Sequence, residues 1–117
     1  MNKHEESFRY GWYCLQLDAH NNSINKGFWP RVERTSEEDA MKIALMHQEL
    51  SEVLEALRVP EEKSEKISEY TKVEEELADV VIRVMSFAGR YGLRIPDAVV
   101  AKMMYNLTRP HKHGKKF

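Results

Sequence analysis

Four carboxylates pose the first chemical question in this chain. Glu49 and Glu52 stand three residues apart in HQELSEVLEAL, and Glu76 and Asp79 repeat that spacing in EEELADVVIRV. On a helix such a spacing puts both side chains on one face. Around the first pair, Ile43, Met46, Leu50, Val53, Leu54 and Leu57 share a stripe suited to a core. Glu49 and Glu52 lie off that stripe, yet Leu45 falls between them in angle and Ala56 lies alongside, so partial enclosure is expected. Around the second pair, Val73, Leu77, Val80, Val81, Ile82, Val84, Met85, Phe87 and Ala88 cover well over half of the circumference. Glu76, Asp79 and Arg83 share what remains, flanked by Phe87 on one side and by Ser86 and Ile82 on the other. If the two helices pack antiparallel, all four acids can converge in one cleft.

A convergence of carboxylates is unfavourable by itself, because like charges in a partly dry site raise one another's pKa. A cation resolves the conflict. Oxygen ligands without histidine or thiolate suit a hard ion, and magnesium prefers a few carboxylates together with water and substrate phosphates. The plainer alternative is a solvated acidic face with Asp79 and Arg83 as an i,i+4 ion pair. Spacing alone leaves both readings open.

The elements that must carry these residues read as helices, and no segment shows the sustained alternation that argues for a sheet. The expected class is all-α. The first helix is expected over about residues 7–20, broken by the turn-forming NNSINKG, with GFWP as a loop. Thr35 or Ser36 can cap the second, whose first turn holds Glu37, Glu38 and Asp39, and Pro60 closes it. The third is expected to gather within residues 64–68 and persist to about Tyr91, with Gly92 as its stop. Pro96 and Asp97 begin the fourth, which ends near Pro110 before the basic tail HKHGKKF.

A chain of 117 residues fits one domain spanning residues 1–117. Its 18 basic and 19 acidic residues give no overall field that would favour a nucleic acid polymer or an anionic membrane. Cys14 is the only cysteine, so no intrachain disulfide can form, and a reducing, cytoplasmic location is expected. The start MNKHEESFRYGW does not read as a signal peptide, and no apolar run approaches the roughly 18 residues of a membrane span.

Taken together, ELSE, ELAD and the ending KMMYNLTRPHKHGKK resemble the MazG-like all-α nucleoside triphosphate pyrophosphohydrolases, relatives of the all-α dCTP and dUTP pyrophosphatases. The resemblance extends over most of the chain. It implies a four-helix MazG-like bundle that oligomerises through its helices, as a homodimer or homotetramer. It also implies cleavage of a nucleoside triphosphate into monophosphate and pyrophosphate, dependent on magnesium, for which manganese can substitute. Glu49, Glu52, Glu76 and Asp79 match the family's Glu-x-x-Glu and Glu-x-x-Asp and become the metal ligands, with Glu52 or Glu49 as the general base. Lys102 and Asn106 match its Lys-x-x-x-Asn and would touch phosphates, as would Arg109. Lys26 and Trp29, in the segment before the motif, become substrate-pocket residues. Gln48 departs from the pattern, since many members carry another acid there, so the motif does not settle the number of metal ions or the identity of the base.

Other chemistries fit poorly. The chain has no G-x-x-x-x-G-K-[ST] loop, no histidine followed by Asp, and no Glu-x-x-His of the kind a di-iron bundle needs. His111 and His113 lack the companions of a tetrahedral zinc set. Trp12 and Tyr13 read as packing residues, and Met103 and Met104 as core or interface filler. A noncatalytic helical dimerisation or interaction module explains the all-α pattern but leaves the acids without a purpose.

Overall fold

The computed structural model describes residues 1–30 and 32–117. Asn2 opens helix α1 (Lys3–Asn25): its side chain accepts from the Glu5 amide at 2.9 Å, and Glu5 accepts in return from the Asn2 amide at 3.0 Å. Thr35 caps α2 (Ser36–Ala56) through the Glu38 amide. Thr71 and Glu74 form a reciprocal cap for α3 (Lys72–Tyr91), which ends on Gly92 at φ 61°. Pro lies in the first turn of α4 (Ile95–Asn106), and a short 3-10 turn follows at His111–Gly114. The class is all-α: among the described residues the only β-type pairing is an isolated bridge between Lys63 and Thr71. No described helix is long and apolar enough to cross a membrane.

Three boundaries differ from expectation. α1 runs through the turn-forming stretch 21–25, because a weak propensity penalty yields to tertiary contact: Ser86 Oγ on α3 donates to Ser23 Oγ at 2.9 Å. α2 ends at Ala56, before Pro60, in successive tight turns through Leu57 to Glu62. α3 begins at Lys72 rather than within residues 64–68. Ser64 accounts for that delay. Its Oγ accepts from the amides of Lys66 and Ile67 at 3.1 and 3.0 Å and donates to Glu75 at 2.5 Å, which turns the chain back instead of starting a helix.

α3 lies between α1 and α2, and α4 rests mainly against α1. Contacts between α2 and α3 pair Glu38 with Arg90 at 3.6 Å and Glu49 with Arg83 at 2.9 Å, so these helices are antiparallel. Gly89 permits the close approach of α1, since a Cβ there would stand 2.7 Å from His20 Cβ. Asp97 ties α4 to α1 by accepting from Arg9 Nε at 2.7 Å and from the Tyr13 hydroxyl.

The α2 stripe expected in the core is mostly uncovered. Val53 is buried, whereas Leu54 remains 70 % exposed, and Ile43, Leu50 and Leu57 are exposed as well. α3 likewise leaves Leu77, Val81 and Ile82 exposed. The chain exposes 9023 Å², against about 6600 Å² for a folded monomer of 13.8 kDa. Its radius of gyration is 16.5 Å, compared with about 13 Å for a compact domain of this length.

Candidate metal centre and adjoining cleft

The antiparallel packing of α2 and α3 brings the acidic pairs together. Oxygens of Glu49, Glu76 and Asp79 lie within 4.8 Å of one another. Glu52 stands at the edge, exposed, where its carboxylate can accept from the protonated Glu76 carboxyl. Glu76 is pushed from 4.5 to about 7, first by burial and then by Glu52, with the charges of Asp79 and Glu75 adding to the effect. Burial also raises Asp79, helped by Glu49 and Glu75 and opposed by Lys66 and Arg83. Arg83 reaches across to Glu49 at 2.9 Å. The i,i+4 pair with Asp79 on a solvated face, considered from sequence, is therefore replaced by an interhelical pair with 12 % of the Glu49 side chain exposed.

One atom tests whether this cluster suits a cation. Glu76 Oε2 is buried with no hydrogen-bond donor. A carboxylate oxygen without a donor, among other carboxylates that raise its proton affinity, lacks positive charge rather than further acceptors. The donor set is all oxygen, which fits a hard divalent ion. Glu49, Glu76 and Asp79 can hold such an ion, with Glu52 adjacent.

Glu49, Asp79 and Arg83 also line one end of a cleft of about 240 Å³. Away from the acids, the cleft is bordered by Ser23, Phe28, Trp29, Lys42 and Ser86. Trp29 is buried and donates its indole N–H to Ser86 Oγ at 2.9 Å. The Lys42 ammonium and the Arg90 guanidinium each stand 4.7 Å from its ring centroid. Lys42 donates to the Phe28 carbonyl, and burial lowers its pKa, with Glu38 opposing that shift. The loop between α1 and α2 is held from α3, because Arg90 donates to the carbonyls of Val32 and Glu33 at 3.2 Å, and the Tyr91 hydroxyl bonds Asp39 in the first turn of α2.

The remaining residues singled out from sequence lie elsewhere. Lys26 follows α1 and lines an adjoining, largely apolar groove of about 660 Å³ that shares Ser23, Phe28 and Ile82 with the cleft. Lys102 and Arg109 flank Tyr105, with their cationic groups 4.8 and 5.7 Å from its ring centroid. Arg109 Nη1 is 3.5 Å from Asn106 Oδ1. No described residue of α4 lines the cleft.

Sequence reasoning missed Lys42, Ser86 and Glu75. The first two carried a usable signal: Lys42 is seven residues before Glu49, and Ser86 seven after Asp79, so each repeats the face of a motif acid. Glu75 was hidden within a run of glutamates. Comparison of the chain with protein-family models, with curated proteins and with solved structures finds no match.

Proposed function

We propose that this chain is a magnesium-dependent nucleoside triphosphate pyrophosphohydrolase of the MazG-like class, acting in nucleotide-pool house-cleaning. The observation that carries this reading is the buried, donorless Glu76 Oε2 among Glu49 and Asp79, beside a cleft that has room for more than the ion. Magnesium, or manganese in its place, would supply charge neutralisation at the phosphates and a more acidic bound water. The chain's own residues do the rest.

Glu52 is suited to accept a proton from the attacking water, because it reaches solvent at the edge of the cluster, whereas Glu49 is engaged by Arg83. The water oxygen bonds to the α-phosphorus as the bridge to the β-phosphate breaks. Pyrophosphate leaves with the bridging oxygen, and the proton passes to Glu52. Arg83 fixes Glu49 and adds positive charge at the cleft wall. A reducing, cytoplasmic setting suits the exposed Cys14.

The excess of about 2400 Å² over a monomer's surface supports a homo-oligomer, since stable interfaces bury about 800 Å² per partner and obligate ones more. In a homodimer or homotetramer, Met103, Met104 and Leu107 on and after α4 would be covered along with Leu54. Lys102, Asn106 and Arg109 would then meet substrate phosphates only across such an interface. That same surface favours the second reading, a noncatalytic helical dimerisation module.

Pyrophosphate release from a panel of ribo- and deoxynucleoside triphosphates, with and without magnesium, separates the two. Metal-dependent release is expected. Silence across the panel, with folded protein and magnesium present, would leave the interaction module standing.

A further inference from the structure

The cleft has two chemically different ends. Beyond the carboxylates it offers one exposed aromatic face and a set of hydrogen-bond donors. We infer that this end takes a nucleobase, stacks it on Phe28, and prefers rings with a keto oxygen over rings with an exocyclic amine. The inference deepens the reading above, on which it rests for placing the triphosphate at the carboxylate end.

Trp29 cannot provide the stacking face while it is buried, bonded to Ser86 and attended by two cations. Phe28 can. It is 52 % exposed and borders both the cleft and the adjoining groove, whose linings share Ser23, Phe28 and Ile82. The groove, at about 660 Å³, has the size of a small-molecule site.

Polarity follows from where the protons must go. Ser86 Oγ accepts the Trp29 N–H and donates to Ser23 Oγ, 2.9 Å away. Ser23 ends this relay at the junction of the two cavities with a proton left to donate. Lys42, 8 % exposed, places one N–H on the Phe28 carbonyl, and an ammonium has three donors and no acceptor. A keto oxygen satisfies these donors. An amine at the same position sets donor against donor at Lys42 and leaves that buried ammonium unpaired, which is how hydrogen-bonding sites discriminate most strongly.

Matched nucleosides test this without phosphate, metal or turnover. Binding of uridine against cytidine, and of inosine against adenosine, is measured by calorimetry on the full chain in EDTA. The keto member of each pair should bind at least about tenfold more tightly. Lys42→Met should collapse both ratios toward one, and Phe28→Ala should weaken all four nucleosides by about tenfold while preserving the ratios. Circular dichroism reports folding. If Lys42→Met does not fold, Ser23→Ala, which removes the terminal donor, must itself lower both ratios by at least about threefold.

Equal affinity within the wild-type pairs, absence of binding at millimolar nucleoside, or ratios untouched by the folded variants overturns the inference. Keto-selective binding without pyrophosphate release would retain it and remove the hydrolase reading. Release without keto preference would do the reverse.

Discussion

Glu76→Gln is expected to stabilise the metal-free protein while abolishing turnover. In the fold the Glu76 carboxyl titrates at about 7, against an ordinary 4.5. A shift of this size corresponds to roughly 3 kcal/mol by linkage, and solvent entering the cleft reduces that to about 1–2 kcal/mol. The sign follows from the direction of the shift. Below pH 4.5 the acid is protonated in both folded and unfolded chains, so it imposes no penalty. Between pH 4.5 and about 7 the unfolded chain ionises first, and stability falls with rising pH. Above about 7 the penalty is constant. The amide that Glu76→Gln introduces mimics the protonated acid and can still donate to Glu52, so the variant should lack this slope. Thermal unfolding in EDTA at fixed protein concentration should place the variant about 4–8 °C above wild type at pH 8, with the two converging near pH 4.5. Magnesium should reverse the order: at 100 times its Kd it would add about 2.7 kcal/mol to wild type and less to the variant. A variant no more stable than wild type at pH 8, or a wild-type protein whose midpoint ignores magnesium, would refute the electrostatic argument.

Three further expectations test the scaffold. Gly89→Ala places a Cβ 2.7 Å from His20 Cβ, so α1 must shift and chemical denaturation should show a loss of about 1–3 kcal/mol. Trp29→Phe removes the indole donor to Ser86 and should cost about 1–2 kcal/mol by urea denaturation. Hydrogen bonds from Tyr13 and then Arg9 hold Asp97 below its ordinary 3.8, so its contribution is present above that pH and lost as pH falls further. Asp97→Asn should accordingly speed hydrogen exchange in α4 at pH 7 and remove the acid sensitivity of that exchange protection.

The class and the acidic cluster were legible in sequence because both rest on local spacing. Helical periodicity gives the pairs a common face, and end signals such as Thr35 and Gly92 act whatever lies nearby. The α3 start was illegible because Ser64 settles it through Glu75, eleven residues away in sequence. The donor end of the cleft was illegible for a similar reason. Ser23 and Phe28 are polar or aromatic residues without a motif, and they join Lys42 and Ser86 in a constellation only when α1, α2 and α3 converge. The α2 stripe taught the opposite lesson: periodicity identified an apolar face, but not which molecule covers it.

Two unsatisfied demands remain in the isolated chain, and they call for different remedies. The carboxylates lack positive charge, which no rearrangement of apolar surface supplies, because Glu76 Oε2 is already enclosed and needs a donor or an ion. The exposed leucines and methionines of α2 and α4 lack cover, which no ion supplies. On the proposed reading, a cation answers the first demand and a second copy the second. On that reading the two demands meet in α2, whose Glu49 faces the acids while Leu50 and Leu54 remain exposed. A second copy docked on Leu50 and Leu54 would restrain α2 against α3 and with it the position of Glu49 relative to Glu76 and Asp79. Ion affinity should then rise with protein concentration through the dimerisation range, and dimer affinity should rise with magnesium by the square of that factor, because linkage is reciprocal and each dimer carries two ion sites.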